Sequence, residues 1–288
     1  MADVIILGKG PAGVSAALYT ARANLDTLLI GRDAGALGKA DRIENYYGFA
    51  QPVAAGELLK SGLAQAQRLG VKLLEDEVLG ISYDGEFGAA ARGGTYRAPF
   101  LILATGAARS APKIPGLAEF EGKGVSYCAV CDAFFYRKKA VAVLGAGEYA
   151  LHEALELLPV AAKVTVLTDG AAPAAEFPAE VAVETRKLEA ISGEGTVNSV
   201  RFTDGGTLPV SGVFVAVGVA GSTDLARKLG AELSGNSVTA DGSRRTNVPG
   251  LYAAGDCTGG LLQIAKAVGD GAVAGTEVIK AFRKRKQS

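Results

Sequence analysis

An apolar run, Val4-Ile5-Ile6-Leu7, breaks directly into Gly8-Lys9-Gly10-Pro11-Ala12-Gly13, and the same pattern returns at Val141-Ala142-Val143-Leu144-Gly145-Ala146-Gly147. A strand with no polar face belongs inside a parallel sheet, covered on both sides. A glycine turn leading straight into a helix is the opening of a βαβ unit that receives a dinucleotide. At the first motif, Gly8 permits the turn, Gly10 lets backbone approach a pyrophosphate at the helix N-terminus, and Gly13 lets helix and strand pack closely. Lys9 faces either solvent or phosphate in this reading. The second strand ends in Gly31-Arg32, so the usual acidic ribose anchor is absent or displaced to Asp33.

The rest of the chain follows that grammar. Strand-like apolar runs at 4–7, 27–30, 99–104, 140–144, 164–167, 213–217 and 251–254 alternate with helix-period segments such as 12–23 and 149–158. The fold class is therefore α/β, with two nucleotide-binding (Rossmann-like) domains. Turn-rich stretches at 110–115 and 241–249 read as connections. The first domain is expected over 1–111 and 244–288, with the second inserted at 112–243. The basic residues 283–286 read as a solvated tail.

Composition narrows the function. With 30 Lys+Arg against 30 Asp+Glu, the chain has no overall charge to attract nucleic acid or an anionic membrane. No apolar stretch approaches the roughly 18 residues of a membrane span, and the N-terminus lacks a signal-peptide pattern, so a cytoplasmic setting is expected. Glycine, at 39 of 288 residues, is about twice its usual share, and its clusters suit sharp turns and close ligand approach. Beyond the two nucleotide turns and Gly255, the glycines read as loop residues.

The second motif, Gly145-Ala146-Gly147-Glu148-Tyr149-Ala150, holds either a nicotinamide dinucleotide or no ligand at all. No Arg occurs between Lys163 and Arg186, which argues against a 2′-phosphate, whereas Asp169 stands near the spacing expected of a ribose ligand. Between the motifs lies Cys128-Ala129-Val130-Cys131-Asp132. Outside this pair the chain offers only Cys257 and His152 as soft ligands, too few for a structural zinc site with four, so no metal is expected. A reversible disulfide suits the pair better, with one thiolate attacking a substrate and the other resolving it. Asp132 is placed to move protons on and off the sulfurs, or to cap a helix. Cys257 reads as a buried lone thiol beside a cofactor site, and His152 as a surface or packing residue.

Taken in order, residues 8–13, Glu44-Asn45, Ala104-Thr105-Gly106, Cys128 to Asp132, 145–150 and Gly250 to Asp256 resemble the low-molecular-weight thioredoxin reductases over nearly the whole chain. The resemblance implies a homodimer, non-covalent FAD on the first domain, and a Cys128–Cys131 disulfide that passes electrons from flavin to a thioredoxin-like protein, with Asp132 as acid/base. It also implies flavin contacts at Gly8, Gly10, Pro11, Ala12, Gly13, Gly31, Arg32, Gly38, Asn45, Val78, Ala104, Thr105, Gly106, Gly255, Asp256, Gln263 and Ile264. Three departures stand out. Thr168-Asp169-Gly170-Ala171-Ala172 replaces the His-Arg-Arg of NADPH-using members, Ala133 replaces the glycine of Cys-x-x-Cys-Asp-Gly, and a Pro-Asn is missing after Gly218. In these the chain is similar to the ferredoxin-dependent flavin thioredoxin reductases, so ferredoxin rather than NADPH is the expected donor. A flavin suits that coupling, since it takes electrons singly and delivers them in pairs. The dithiol would then travel by domain rotation about the two connections. An NADH-dependent disulfide reductase using Asp169, a flavin dithiol oxidase and a redox-sensing flavoprotein without turnover are the competing readings.

Overall fold

The computed structural model describes residues 1–107, 112–218 and 220–287. The chain divides into two units, Met1–Arg109 with Gly221–Ser288, and Ser110–Ala220. In the first, the strands Val4–Leu7, Thr27–Ile30, Lys72–Leu74, Phe100–Leu103 and Leu251–Ala253 form one parallel sheet, in the order last, fourth, first, second, third. Every residue of Val4–Leu7, Thr27–Ile30, Phe100–Leu103 and Leu251–Ala253 is buried, which is why these runs read as uniformly apolar. A three-stranded antiparallel sheet, Val78–Tyr83, Phe87–Ala91 and Gly94–Ala98, interrupts the series before the fourth strand.

The second unit repeats this plan. Its parallel sheet runs Val125–Ser126, Gly212–Val215, Ala140–Leu144, Lys163–Leu167, Val181–Glu184, and a three-stranded antiparallel sheet, Leu188–Glu194, Thr196–Phe202 and Thr207–Pro209, again precedes the strand beside the central one. The repeat extends to the turns. A Cβ on Gly8 would overlap the Ala104 carbonyl oxygen, and one on Gly145 would overlap that of Ala216, so each motif's first glycine packs on the end of the neighbouring parallel strand. The units differ at one crossover. The first places the helix Ala55–Arg68 between its second and third strands, whereas the second passes from Leu167 to Val181 without a helix.

The second passage between units falls at Ala220/Gly221 rather than near 243. The helix Ser222–Lys228 and the hairpin Leu233–Ser234/Ser237–Val238 belong to the first unit. Ser222, fully buried, donates to the Gly106 carbonyl at 2.7 Å and lies 2.7 Å from the Thr105 hydroxyl, which ties this helix to the first parallel sheet. The turn-rich stretch 241–249 is instead a set of tight turns inside that unit, with Asp241 accepting from the N–H groups of Ser243 and Arg245. Of the expected first connection, Ser110 and Ala111 lie outside the described residues.

Two further readings change. Arg283, Lys284 and Arg285 are the last turn of the helix Ile264–Arg285, where positive charge complements the exposed carbonyls, rather than a tail. Glycine also has a use outside turns and loops. A Cβ at Gly271 or Gly275 would run into the Ala12 or Ala16 carbonyl, so these residues let the last helix lie against the helix Pro11–Arg22. Ser15 fastens the pair by donating to the Val268 carbonyl at 2.7 Å. No helix among the described residues is long and apolar enough to cross a membrane.

Candidate functional site

In the first unit the site grows from the C-terminal ends of three adjacent parallel strands, which deliver Gly8, Ala104-Thr105 and Ala254-Gly255 to one place. Open α/β sheets bind ligands at this edge. A Cβ on Gly13 would strike the Gly8 carbonyl and one on Gly255 would crowd the Ala12 methyl, whereas Gly10 has open space where its Cβ would stand. The helix Pro11–Arg22 begins with Pro11, has no side-chain cap, and carries no acidic residue in its first turn. Its leading N–H groups are thus available to an anion. These features fit the pyrophosphate of a dinucleotide.

The remaining expected flavin contacts sort into those that meet and those that stand apart. Asn45 Nδ2 donates to Gln263 Oε1 at 2.9 Å, which brings the 45 and 263–264 segments together at the start of the last helix. Gly31 packs on the stem of Lys9. Lys9 does not face solvent, since it is buried and its ammonium pairs with Glu75 at 2.6 Å, holding that carboxyl below the ordinary carboxylate range. Arg32 pairs with Asp33 and Glu77, and Asp33 also accepts from the Gly35 N–H. Asp33 is therefore engaged with its own turn. Gly38 lies on the short turn Leu37–Lys39 and Val78 opens the antiparallel sheet, on separate elements.

Asp256 sits on the turn Gly255–Thr258, where burial raises its carboxyl above the ordinary value, opposed by the charge of Lys266 and reinforced by Asp270. Sequence reasoning missed the network behind this turn. Lys266 donates to the carbonyls of Gly255 and Gly259 at 2.8 and 2.7 Å and to the Thr258 hydroxyl at 3.0 Å, and it pairs with buried Asp270 at 3.0 Å. Asp270 in turn accepts the Gly255 N–H at 3.1 Å and faces Arg244 at 3.3 Å. The signal was the i,i+4 spacing of a lysine and an aspartate on one helix near a glycine turn. Cys257 lies inside this unit, wholly buried, donating to the Leu103 and Ala254 carbonyls, and burial pushes its thiol up to about 12.

In the second unit, Cys128 and Cys131 form a disulfide. Cys128 is buried and caps the helix Ala129–Asp132, its sulfur accepting the Cys131 N–H at 3.1 Å, whereas Cys131 is exposed. Asp132 ends this helix and makes no side-chain cap to the next turn, Ala133–Tyr136. Its Oδ2 accepts instead from Ser126 at 2.7 Å, and Ser126 also accepts the Cys128 N–H at 3.1 Å, so one hydroxyl links the carboxylate to the cysteine backbone. Ala133 adopts right-handed helical angles, a conformation that needs no glycine. Around Cys131 the surface is apolar, with Val130, Phe134 and Phe135 exposed to 59%, 74% and 67%. Among the described residues no group of three or more His, Cys, Asp or Glu is gathered as metal ligands.

The second glycine turn differs from the first. Glu148 opens its helix, so the first turn, whose N–H groups would favour a bound anion, carries an acidic residue of its own. The Ala174 N–H donates to the Ala146 carbonyl at 2.7 Å, so the helix-free crossover lies on the turn. Asp169 takes a left-handed conformation and accepts the Leu188 N–H at 2.8 Å, while Arg186 is engaged by Glu184, Asp204 and the Phe202 ring.

Comparison with known proteins agrees with this geometry. The family of pyridine nucleotide-disulphide oxidoreductases matches residues 2–271. Thioredoxin reductases of Treponema pallidum and Listeria innocua are 39% and 35% identical, covering 94% and 99% of this chain and 94% and 95% of their own. Among solved structures, the atypical thioredoxin reductase TRi of Desulfovibrio vulgaris Hildenborough is 42% identical with a TM-score of 0.93, covering 99% of each chain. A ferredoxin-flavin thioredoxin reductase of Clostridium acetobutylicum is 29% identical with a TM-score of 0.74, covering 98% of each. The chain therefore belongs to the pyridine nucleotide-disulphide oxidoreductase family, in its thioredoxin reductase branch.

Proposed function

We propose that this enzyme, a cytoplasmic homodimer with FAD on its first unit, reduces a thioredoxin-like protein through Cys128–Cys131 and draws its electrons from ferredoxin in place of NADPH. The observation that carries the disulfide reading is the exposed Cys131 set in an apolar surround, since a macromolecular disulfide needs both an accessible sulfur and surface to rest on. FAD, when bound, supplies a centre that is filled one electron at a time and emptied in pairs.

The chain's own residues do the rest. Once the pair is a dithiol, the Cys131 thiolate attacks one sulfur of the partner's disulfide, forming a mixed disulfide and releasing one partner thiolate. Cys128, losing its proton, then attacks the Cys131 sulfur, which restores the internal disulfide and releases the second partner thiolate. Two electrons leave the enzyme. Asp132, held by Ser126, accepts and returns protons beside the pair. Support for the donor comes from the second glycine turn, where Ala174, Glu148, Asp169 and Arg186 are arranged against a nicotinamide dinucleotide rather than around one. The likeness to a ferredoxin-flavin thioredoxin reductase points the same way.

The test is reduction of a thioredoxin by enzyme whose flavin has been photoreduced. Thioredoxin dithiol should appear with the unaltered enzyme and not with Cys128→Ser or Cys131→Ser. Photoreduced enzyme that leaves the thioredoxin disulfide intact would overturn the reading.

A further inference from the structure

The helix Glu148–Leu157, which starts from the second glycine turn, buries a carboxylate against the disulfide. Glu153 is 1% exposed, and its Oε2 accepts the N–H of Ala129 at 2.7 Å. Ala129 follows Cys128 directly, so this bond fixes the peptide that carries the inner sulfur's residue. A neutral side chain would satisfy one backbone N–H at far smaller desolvation cost, because burying an ionised carboxylate is expensive even when hydrogen-bonded. What a carboxylate adds is negative charge beside Cys128. A thiolate is stabilised by neighbouring N–H groups and positive charge, and opposed by a fixed anion that already takes the N–H.

This helix and the turn Ala133–Tyr136 pack most closely on the cysteine turn, and Ser126 of the strand Val125–Ser126, which has no titratable side chain, is hydrogen-bonded to it. The titratable groups are Glu148, Tyr149, His152, Glu153 and Glu156 on the helix and Tyr136 on the turn, with Tyr127 and Asp132 on the cysteine segment itself. Glu153 is bonded to the backbone next to Cys128, and Asp132 is linked through Ser126 to the Cys128 N–H. Both carboxyl groups therefore bear on the inner cysteine.

We infer that Glu153 is a positioning residue of the disulfide: it anchors the Ala129 peptide and keeps Cys128 the protonated inner sulfur of the dithiol, which leaves Cys131 as the sulfur that exchanges with the partner. This rests on the reading of the pair as an exchanging disulfide, but its test needs neither thioredoxin nor ferredoxin, since glutathione supplies the electrons. The equilibrium is enzyme disulfide plus two glutathione thiols giving enzyme dithiol plus glutathione disulfide, with two electrons passing to the pair.

The experiment measures that equilibrium on the holoenzyme at pH 6 and pH 9, together with the pH profile of Cys128 alkylation in the dithiol, read by peptide mass. Glu153→Gln keeps an acceptor oxygen and the side-chain volume while removing the charge. It should move Cys128 alkylation to lower pH and favour the dithiol by at least about threefold at pH 9, with no difference at pH 6. Glu153→Ala should show the same pH-dependent shift with a lower melting temperature, and where it fails to fold the glutamine variant decides. A glutamine variant that matches the unaltered enzyme in both measurements would overturn the inference. So would a shift equal at both pH values, because a purely structural effect is indifferent to protonation. Failure of the unaltered enzyme to reduce thioredoxin would strike the functional reading and leave this measurement standing.

Discussion

The N–H of Ala174 donates to the carbonyl of Ala146 at 2.7 Å, within the turn from which the helix Glu148–Leu157 of the second unit starts. The equivalent crossover of the first unit is long and carries the helix Ala55–Arg68, while Gly10 and its counterpart Gly147 both face open space. In the second unit the crossover has no helix, and Glu148 stands at the first helical position. Two copies of one fold thus differ at the glycine turn. Both helices start without a side-chain cap, but only the second has an acidic residue in its first turn and a crossover segment hydrogen-bonded to its glycine turn.

Lys266 clamps the turn that bears Asp256 by donating to three of its oxygens. Lys266→Met removes hydrogen bonds from a charged donor, worth about 1.5–3 kcal/mol each. FAD affinity should fall by about tenfold or more, read as a dissociation constant from flavin fluorescence on adding FAD to the apoprotein. Unchanged affinity would detach this network from the cofactor.

Burial of Cys128 and exposure of Cys131 assign the two sulfurs different tasks. With a thioredoxin lacking its resolving cysteine, Cys128→Ser should accumulate a mixed disulfide through Cys131, visible by mass spectrometry. Cys131→Ser should form little of it. The reverse pattern would exchange the roles.

Phe134 and Phe135 lie edge to face, 6.3 Å between ring centroids, and both are exposed next to the disulfide. Covering such a ring on docking gains about 1.5–3 kcal/mol. Phe134→Ala with Phe135→Ala should raise KM for thioredoxin by at least about tenfold with little change in turnover of a small aromatic disulfide. Equal loss toward both substrates would place the rings in the chemistry or the fold instead.

Cys257 should behave as a silent thiol. After reduction, the native enzyme should show two reactive thiols and the denatured enzyme three. Because burial raises the Cys257 thiol to about 12, its unfolded form ionises first as pH rises. The stability it contributes is therefore complete below about pH 9 and is lost progressively toward pH 12. Thermal unfolding across this range should show a steeper alkaline decline for the unaltered protein than for Cys257→Ala.

Much of this was legible because parallel strands buried on both faces leave unbroken apolar runs, and a glycine turn must follow them where a helix begins at once. Leu101, Ile102 and Leu103 or Val213, Phe214 and Val215 need no context to be placed in a sheet. The Cys128–Cys131 pair is local in sequence, so its chemistry was local too. The second passage between units was not legible. The turns at 241–249 resemble a linker, and nothing adjacent to Ser222 announces its bonds to Thr105 and Gly106, more than a hundred residues away. Glu153, Ser126 and Lys266 escaped for the same reason, being polar residues whose meaning lies in partners that the fold supplies. Glu148 stood inside the quoted motif. Its charge was the available sign that this turn and the first one differ.

The donor is the central claim, and anaerobic reduction of the enzyme-bound flavin tests it most directly. The visible flavin absorbance is followed after mixing with reduced ferredoxin, with NADPH and with NADH, each in turn. Reduced ferredoxin should bleach the flavin within the time of one turnover, while both nicotinamide nucleotides leave it oxidised over the same interval. Stoichiometric bleaching by NADPH or NADH on that timescale would contradict the account.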